Sequence, residues 1–299
     1  MTAATPRTVE QYLDALRAAL QGADPALLQD ALYDAEEHLR AELAQHPGDA
    51  EGDVLARIVT SYGAPDEVAE AYRANEATIQ NALRTPTPRP RTSALGRFFG
   101  VYTDPRVYLS LLYLLLTLVT GVFYFTFAVT GLSLSVGLAI LIIGIPFFLL
   151  FIGVARVIAL AEGRLVETLL GTRMPRRPQY PDRETPFLQR VADMLKDPRT
   201  WGTLLYMVAM LPLGVFYFTF AFVGIVVSLA TFLAPIVVLL YHAGVVQIDG
   251  VVQSPHPALL PLVSILGVLL LTVTLHLARG IGYLHGQLAK TLLVNSRAV

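Results

Sequence analysis

The chain has 299 residues, 54% of them hydrophobic and only 15% charged, with a formal net charge of −1 and no Cys. Soluble domains carry about 25% charged residues, so the composition excludes an ordinary soluble enzyme. Without Cys there is no disulfide framework, thiolate metal site or cysteine nucleophile. The small net charge hides an asymmetry: residues 1–84 hold six Arg against fifteen Asp and Glu, and the rest holds sixteen Lys and Arg against eight acids.

Residues 1–84 read as a small acidic helical domain. Val9, Tyr12, Leu13, Leu16 and Leu20 recur at helical spacing; Leu28, Leu32, Ala35 and Leu39 form a second stripe, which Asp24 can cap with Pro25 in the first turn. Val54, Leu55, Ile58, Val59 and Tyr62 make a third stripe stopped by Gly63. A fourth helix starts at Pro65, with Asp66 and Glu67 favoured by the helix dipole and Val68, Ala69 and Tyr72 on one face. The N-terminus lacks the apolar core of a signal peptide, so this module is expected in the cytoplasm. Residues 85–94, opening TPTPRPR, are a polyproline-type linker.

From residue 95 to 299 the chain changes character. Residues 107–155 and 200–248 are two runs of 49 residues without Asp, Glu, Lys or Arg, and 250–278 adds 29 more. About 20 apolar residues cross a bilayer, so four spans are expected near 107–129, 134–156, 201–225 and 259–279. Basic residues cluster before the first span (Arg89, Arg91, Arg97, Arg106), between the halves (Arg173 to Arg199) and at the end (Arg279, Lys290, Arg297). The positive-inside rule then puts both termini on the cytoplasmic side of the membrane and the loop from His242 to Pro257 outside. Ile225–Tyr241 is apolar, but a fifth crossing would carry the basic C-terminus out; it is expected to form an extension, re-entrant or interfacial helix.

Within this region the sequence repeats. Gly121–Ala128, GVFYFTFA, is identical to Gly214–Ala221 at an offset of 93, which also relates Asp104-Pro105-Arg106 to Asp197-Pro198-Arg199 and Tyr113 to Tyr206. At an offset of 123, Ala155, Arg156, Ile158, Gly163 and Leu165 recur as Ala278, Arg279, Ile281, Gly286 and Leu288. The expected fold is all-α: a cytoplasmic helical domain, then a four-span bundle of two parallel helix-pair repeats (95–171 and 188–295) joined by a connector (172–187), with 30 extra residues in the second.

The candidate functional residues follow from this layout. Asp104 and Asp197 read as N-caps, with Pro105 and Pro198 in the first turn and Arg106 and Arg199 at anionic lipid headgroups. Leu95, Phe98, Phe99 and Tyr102 before one span, and Phe187, Leu188, Val191, Met194 and Leu195 before another, suit interfacial helices. Arg156 and Arg279 end spans two and four, as stop-transfer residues or relays to the cytoplasmic side. Phe123, Tyr124, Phe125 and Phe127, with their copies Phe216, Tyr217, Phe218 and Phe220, either form an aromatic belt and packing surface or line a lipophilic pocket. Glu162 and Glu167 sit on an amphipathic continuation of span two and read as solvated. Of the six His, His276 and His285 lie nine apart on one helix and face opposite ways, while His242 and His256, with Asp249, share the external loop without a fixed scaffold.

No H-E-x-x-H, G-x-S-x-G, Walker loop or dinucleotide turn is present, so no catalytic residue, metal site or cofactor is expected. No acid lies mid-span, which weighs against ion-coupled transport.

Two resemblances complete the picture. Tyr12-Leu13-x-x-Leu16, His38, and Tyr62-Gly63-Ala64-Pro65 leading to Val68, Ala69 and Tyr72 resemble the HAAS domain, a helical module of bacterial membrane proteins that accompanies PadR-type regulators. The duplicated spans, Ala234-Pro235 and the ARxxxxxxGxLxxTLL endings resemble a bacterial sensor domain family of four spans. Together they imply a non-enzymatic membrane sensor that passes a membrane or envelope stimulus through its N-terminal domain to a PadR-type regulator or a kinase, without contacting nucleic acid itself. Leu39 and Tyr72 are the expected partner-binding residues, membrane lipids the other expected contact, and a homo-oligomer is compatible. A transporter-like or lipid-binding protein is the alternative. The opposite charges also predict that the acidic domain docks on the Arg173–Arg199 segment.

Overall fold

A computed structural model of the chain describes residues 6–83, 93–138, 140, 143–177, 192, 194–243 and 257–294. The described residues are helical without a strand. Four helices make the N-terminal domain: α1 (Val9–Ala19), α2 (Pro25–Gln45), α3 (Glu51–Tyr62) and α4 (Pro65–Leu83). A short α5 (Ala94–Phe99) and a 3-10 turn (Gly100–Thr103) lead to α6 (Pro105–Leu138), α7 (Gly144–Leu165, continued by a π turn, Val166–Leu170), α8 (Pro198–His242) and α9 (Leu260–Leu293). The last four are long and apolar enough to cross a membrane.

The boundaries come from local chemistry. Thr8 accepts from Gln11 N at 3.2 Å to start α1, and Asp24 accepts from Ala26 N at 2.9 Å with Pro25 as the first residue of α2. Glu67 reaches back to Ala64 N at 3.0 Å, the returning half of a capping box for α4. Gly63 holds φ at 113°, a conformation other residues avoid, and its carbonyl accepts from Tyr12 Oη at 2.9 Å. Asp104 and Asp197 accept from Arg106 N and Arg199 N at 3.1 and 3.0 Å, so both Asp-Pro-Arg sequences are helix caps as expected.

The chain forms two compact units: residues 1–85, 131–206 and 287–299, and residues 86–130 and 207–286. In the first unit, Tyr12, Leu16, Leu20, Leu28, Ala31, Ala35, Leu39, Val54, Leu55, Ile58, Val68 and Ala69 form the core of the N-terminal helices. His38 stacks on Tyr62 with ring centroids 4.4 Å apart. In the membrane helices of this unit, Gly131 faces the Phe151 ring and Gly202 faces the Leu292 carbonyl.

The second unit packs α6 on α8 through two glycines. A Cβ at Gly121 would lie 2.4 Å from the Met210 carbonyl oxygen, and one at Gly214 would lie 2.2 Å from that of Thr117. Small residues permit such close backbone approach in membrane helices. Further along, Gly224 abuts Thr274, and Gly267 abuts Phe232. Tyr102 binds Thr272 Oγ1 at 2.9 Å, and the Phe98 ring stacks on His276, whose Nε2 lies 2.9 Å from the Phe98 carbonyl. The first amphipathic stretch therefore packs partly on α9, although Leu95 remains exposed. Of the second stretch, Phe187, Leu188 and Val191 lie outside the described residues.

Ile225–Tyr241 is no separate element. It continues α8, a single 45-residue helix with Pro212 and Pro235 inside it. At about 1.5 Å per residue it is roughly 68 Å long, against a hydrocarbon core of about 30 Å. The first, third and fourth expected spans were too short because they were drawn to bilayer width, whereas nothing in the sequence stops these helices there; the second, 134–156, was misplaced, since α6 runs on to Leu138 and α7 starts only at Gly144. The 30 additional residues are shared among a longer α8, a longer connection and an earlier start to α9. Asp249 and His256 of that connection lie outside the described residues.

Candidate functional site

The site begins where α7 ends. Gly171, at φ 72°, terminates the π turn, and the segment after it carries Arg173, Arg176 and Arg177. On α2, Asp30 and Asp34 stand four residues apart, a like-charge spacing that is unfavourable on a lone helix and calls for a cationic partner.

The basic segment supplies it within the first unit. Arg173 Nη2 donates to Asp30 Oδ2 at 2.7 Å and its Nε to Glu76 Oε1 of α4 at 2.8 Å, while Nη1 lies 3.5 Å from Glu167 in the π turn. The amides of Arg176 and Arg177 both donate to Asp30 Oδ1 at 2.8 Å. Arg176 pairs with Glu167 at 2.9 Å, and Arg177 pairs with Asp34 at 3.0 Å and lies over the Tyr33 ring. Gln29 Nε2 donates to the Arg177 carbonyl at 2.7 Å, and its Oε1 accepts from Arg199 Nη2 at 2.6 Å. Lys290 near the end of α9 pairs with Asp24. The acidic domain and the basic segment are thus in direct contact.

Burial works against the Arg173 charge, but the hydrogen bond and attraction of Asp30, then Glu76 and Glu167, outweigh it and hold the guanidinium above its ordinary range. Desolvation raises Tyr72, whose hydroxyl donates to Asp34 at 2.9 Å, and also raises Tyr62.

Two further polar pairs lie in the membrane helices. In the first unit, Arg156 pairs with Asp197 at 3.2 Å, and Tyr206 donates to Glu162 Oε1 at 2.7 Å. In the second, Arg279 pairs with Asp104 at 3.0 Å, and Tyr113 meets His285 Nε2 at 2.7 Å. These contacts join positions related by the sequence offsets of 93 and 123, with Glu162 and His285 as the one exchange of chemistry.

Several expectations are corrected. Glu162 is buried at 1% exposure, not solvated, because Tyr206 supplies a donor; Glu167 is held by Arg173 and Arg176. Leu39, at 0% exposure, belongs to the core and cannot touch a partner; Tyr72 packs on the same core and spends its hydroxyl on Asp34. The eight aromatics do not converge on one pocket. Phe123 and Phe216 are more than half exposed, Tyr124 and Tyr217 are buried, and Phe125, Phe127, Phe218 and Phe220 are intermediate, because consecutive residues on a helix point around its whole circumference. Arg106 is exposed at the start of α6. Gln29, Asp30 and Glu76 are the site residues that sequence reasoning missed; the Asp30/Asp34 spacing and the opposite charges of the two regions were the signals that pointed towards them.

Among the described residues no group of His, Cys, Asp and Glu is arranged to hold a metal ion. The cluster is built for charge pairing: it joins α2 and α4 to the end of α7.

Residues 113–293 match the family described as Putative sensor, and residues 11–71 match HAAS. No curated protein and no solved structure matches the chain. With four membrane-length helices behind a HAAS domain and the sensor match covering more than half of its length, the chain belongs to this sensor family and is a membrane protein.

Proposed function

We propose that the chain is a non-enzymatic signalling protein of the bacterial inner membrane with both termini cytoplasmic, in which a membrane or envelope stimulus alters helix packing and the HAAS domain passes that change to a cytoplasmic regulator. A HAAS domain is a signalling domain that pairs with regulators, which supports a regulator, PadR-type by family resemblance, as the partner. The carrying observation is Arg173: one guanidinium holds Asp30 of α2, Glu76 of α4 and Glu167 at the end of α7. Such a tie suits a switch. A buried ion cluster gains little net stability while intact, since desolvation offsets attraction, and whole release returns every charge to water. Removing one member alone strands the others. A relay of this kind needs two states that the stimulus weights differently.

The test uses the full chain in lipid nanodiscs with spin labels at exposed Glu37 and Arg164. The parent is expected to give one narrow distance and Arg173→Glu a broad distribution; a purified PadR-type regulator is expected to bind the variant several-fold differently. Identical distances and identical affinity would overturn the proposal.

A further inference from the structure

A cavity of about 90 Å³ in the first unit has Gln29, Arg156, Arg199 and Thr203 as its polar wall and Leu160 and Met174 on its apolar side. Arg199 Nη2 is engaged by Gln29 Oε1, but its Nε, shut off from solvent, donates to no described protein group. Asp197 is the carboxylate beside the two guanidiniums, 3.2 Å from Arg156, and it also caps α8 through Arg199 N. The first turn of α8 adds the positive end of a long helix dipole. Two fixed cations, a hydroxyl and a helix N-terminus therefore meet in a space with one carboxylate already committed.

We propose that this cavity binds a phosphate-class anion, with Arg199 as its main donor through Nε and Nη2, and Arg156 and Thr203 completing the contact. Arginine's planar fork suits phosphate oxygens in this way. The volume decides the size of the ligand: drug-sized sites run to about 300–1,000 Å³, so this one takes a single phosphate group and not a whole organic molecule. That group is either inorganic phosphate or the headgroup phosphate of an anionic lipid whose remainder stays in the bilayer along the apolar side. The anion competes with Gln29 Oε1 for Arg199 Nη2 and so loosens one tie of the HAAS domain. This last step rests on the signalling role proposed above; the binding site does not.

Trp201 is the sole tryptophan of the chain, lies between Arg199 and Thr203 in sequence, and donates to the Leu195 carbonyl at 2.8 Å, which makes it a native reporter. The full chain is placed in phosphatidylcholine nanodiscs and titrated with sodium phosphate against sodium chloride of equal ionic strength; a second preparation replaces one lipid in five by phosphatidylglycerol. A saturable Trp201 change with phosphate identifies the soluble source, and a change only with phosphatidylglycerol identifies the headgroup. Arg199→Gln is expected to weaken the response about tenfold or more, the loss of a charged hydrogen-bond donor. Gln29→Ala, which frees Arg199 Nη2, is expected to bind as tightly or a few-fold tighter, so the two variants diverge and a folding defect common to both is recognisable. No response to either source, an equal response to chloride, or an unchanged response in Arg199→Gln overturns the site. A Trp201 response with an unaltered Glu37–Arg164 label distance keeps the site and overturns its link to HAAS release.

Discussion

Tyr206 donates its hydroxyl proton to Glu162 at 2.7 Å, with both side chains about 1% exposed. Tyr113, its counterpart at an offset of 93, meets His285 instead. The acid is tolerated inside because the phenol reaches it. Tyr206→Phe is expected to cost about 1–3 kcal/mol, the range for a buried polar group deprived of a donor. Glu162→Gln, which keeps an acceptor, should lower the melting temperature in detergent less than Glu162→Leu; equal losses would show that the hydrogen bond does not matter.

Gly121 and Gly214 leave no room for a side chain. At each, a Cβ would press on a backbone carbonyl of the facing helix, and backbone cannot step aside as a flexible side chain can. Gly121→Ala and Gly214→Ala should each destabilise by about 1–3 kcal/mol. Gly153→Ala, with nothing within 4 Å of its Cβ, is the control and should be neutral or mildly stabilising in thermal unfolding of the purified chain.

The charged contacts of the HAAS domain should rank by burial. Arg173 and Asp30 are both 9% exposed, whereas Lys290 and Asp24 are 23% and 27% exposed. Arg173→Ala is expected to cost the docked state about 3–5 kcal/mol, because Asp30 and Glu76 lose their counter-charge in a buried place. Lys290→Ala should cost less than about 1 kcal/mol and respond more to salt. Protease sensitivity of the N-terminal helices in nanodiscs reads both.

Tyr72 predicts an alkaline weakness. Its folded pKa is raised above the ordinary 10.0, first by desolvation and then by the hydrogen bond to Asp34. The neutral phenol is thus favoured in the folded state. Its contribution is complete below the unfolded pKa and drains as pH rises towards the folded one. Between about pH 9 and 11 the parent should lose more thermal stability than Tyr72→Phe; parallel curves would contradict the assignment.

The parts legible in the sequence are those fixed by neighbours. Asp24, Gly63, Pro65, Asp104 and Asp197 act within a few residues, so the helix starts and stops they dictate could be placed before any tertiary contact was known. Glu162 could not: on an amphipathic stretch an acid reads as solvated, and its partner is 44 residues away. Leu39 and Tyr72 were visible as periodic apolar residues, but periodicity marks the face that turns inward, so it named the core and not a partner surface. Of the two readings of the aromatic octet, only the single pocket fails on geometry, since adjacent residues on a helix are about 100° apart and share no face.

The two glycine contacts between α6 and α8 also limit how this unit can move. Sliding either helix by about one turn would bring Tyr124 or Tyr217, three residues on and buried on the same side, against a carbonyl that now rests on Gly121 or Gly214. Backbone rather than side chain therefore sets the spacing of α6 and α8 at this point. Nothing at this contact can yield by changing rotamer, so any movement here has to shift whole segments of helix.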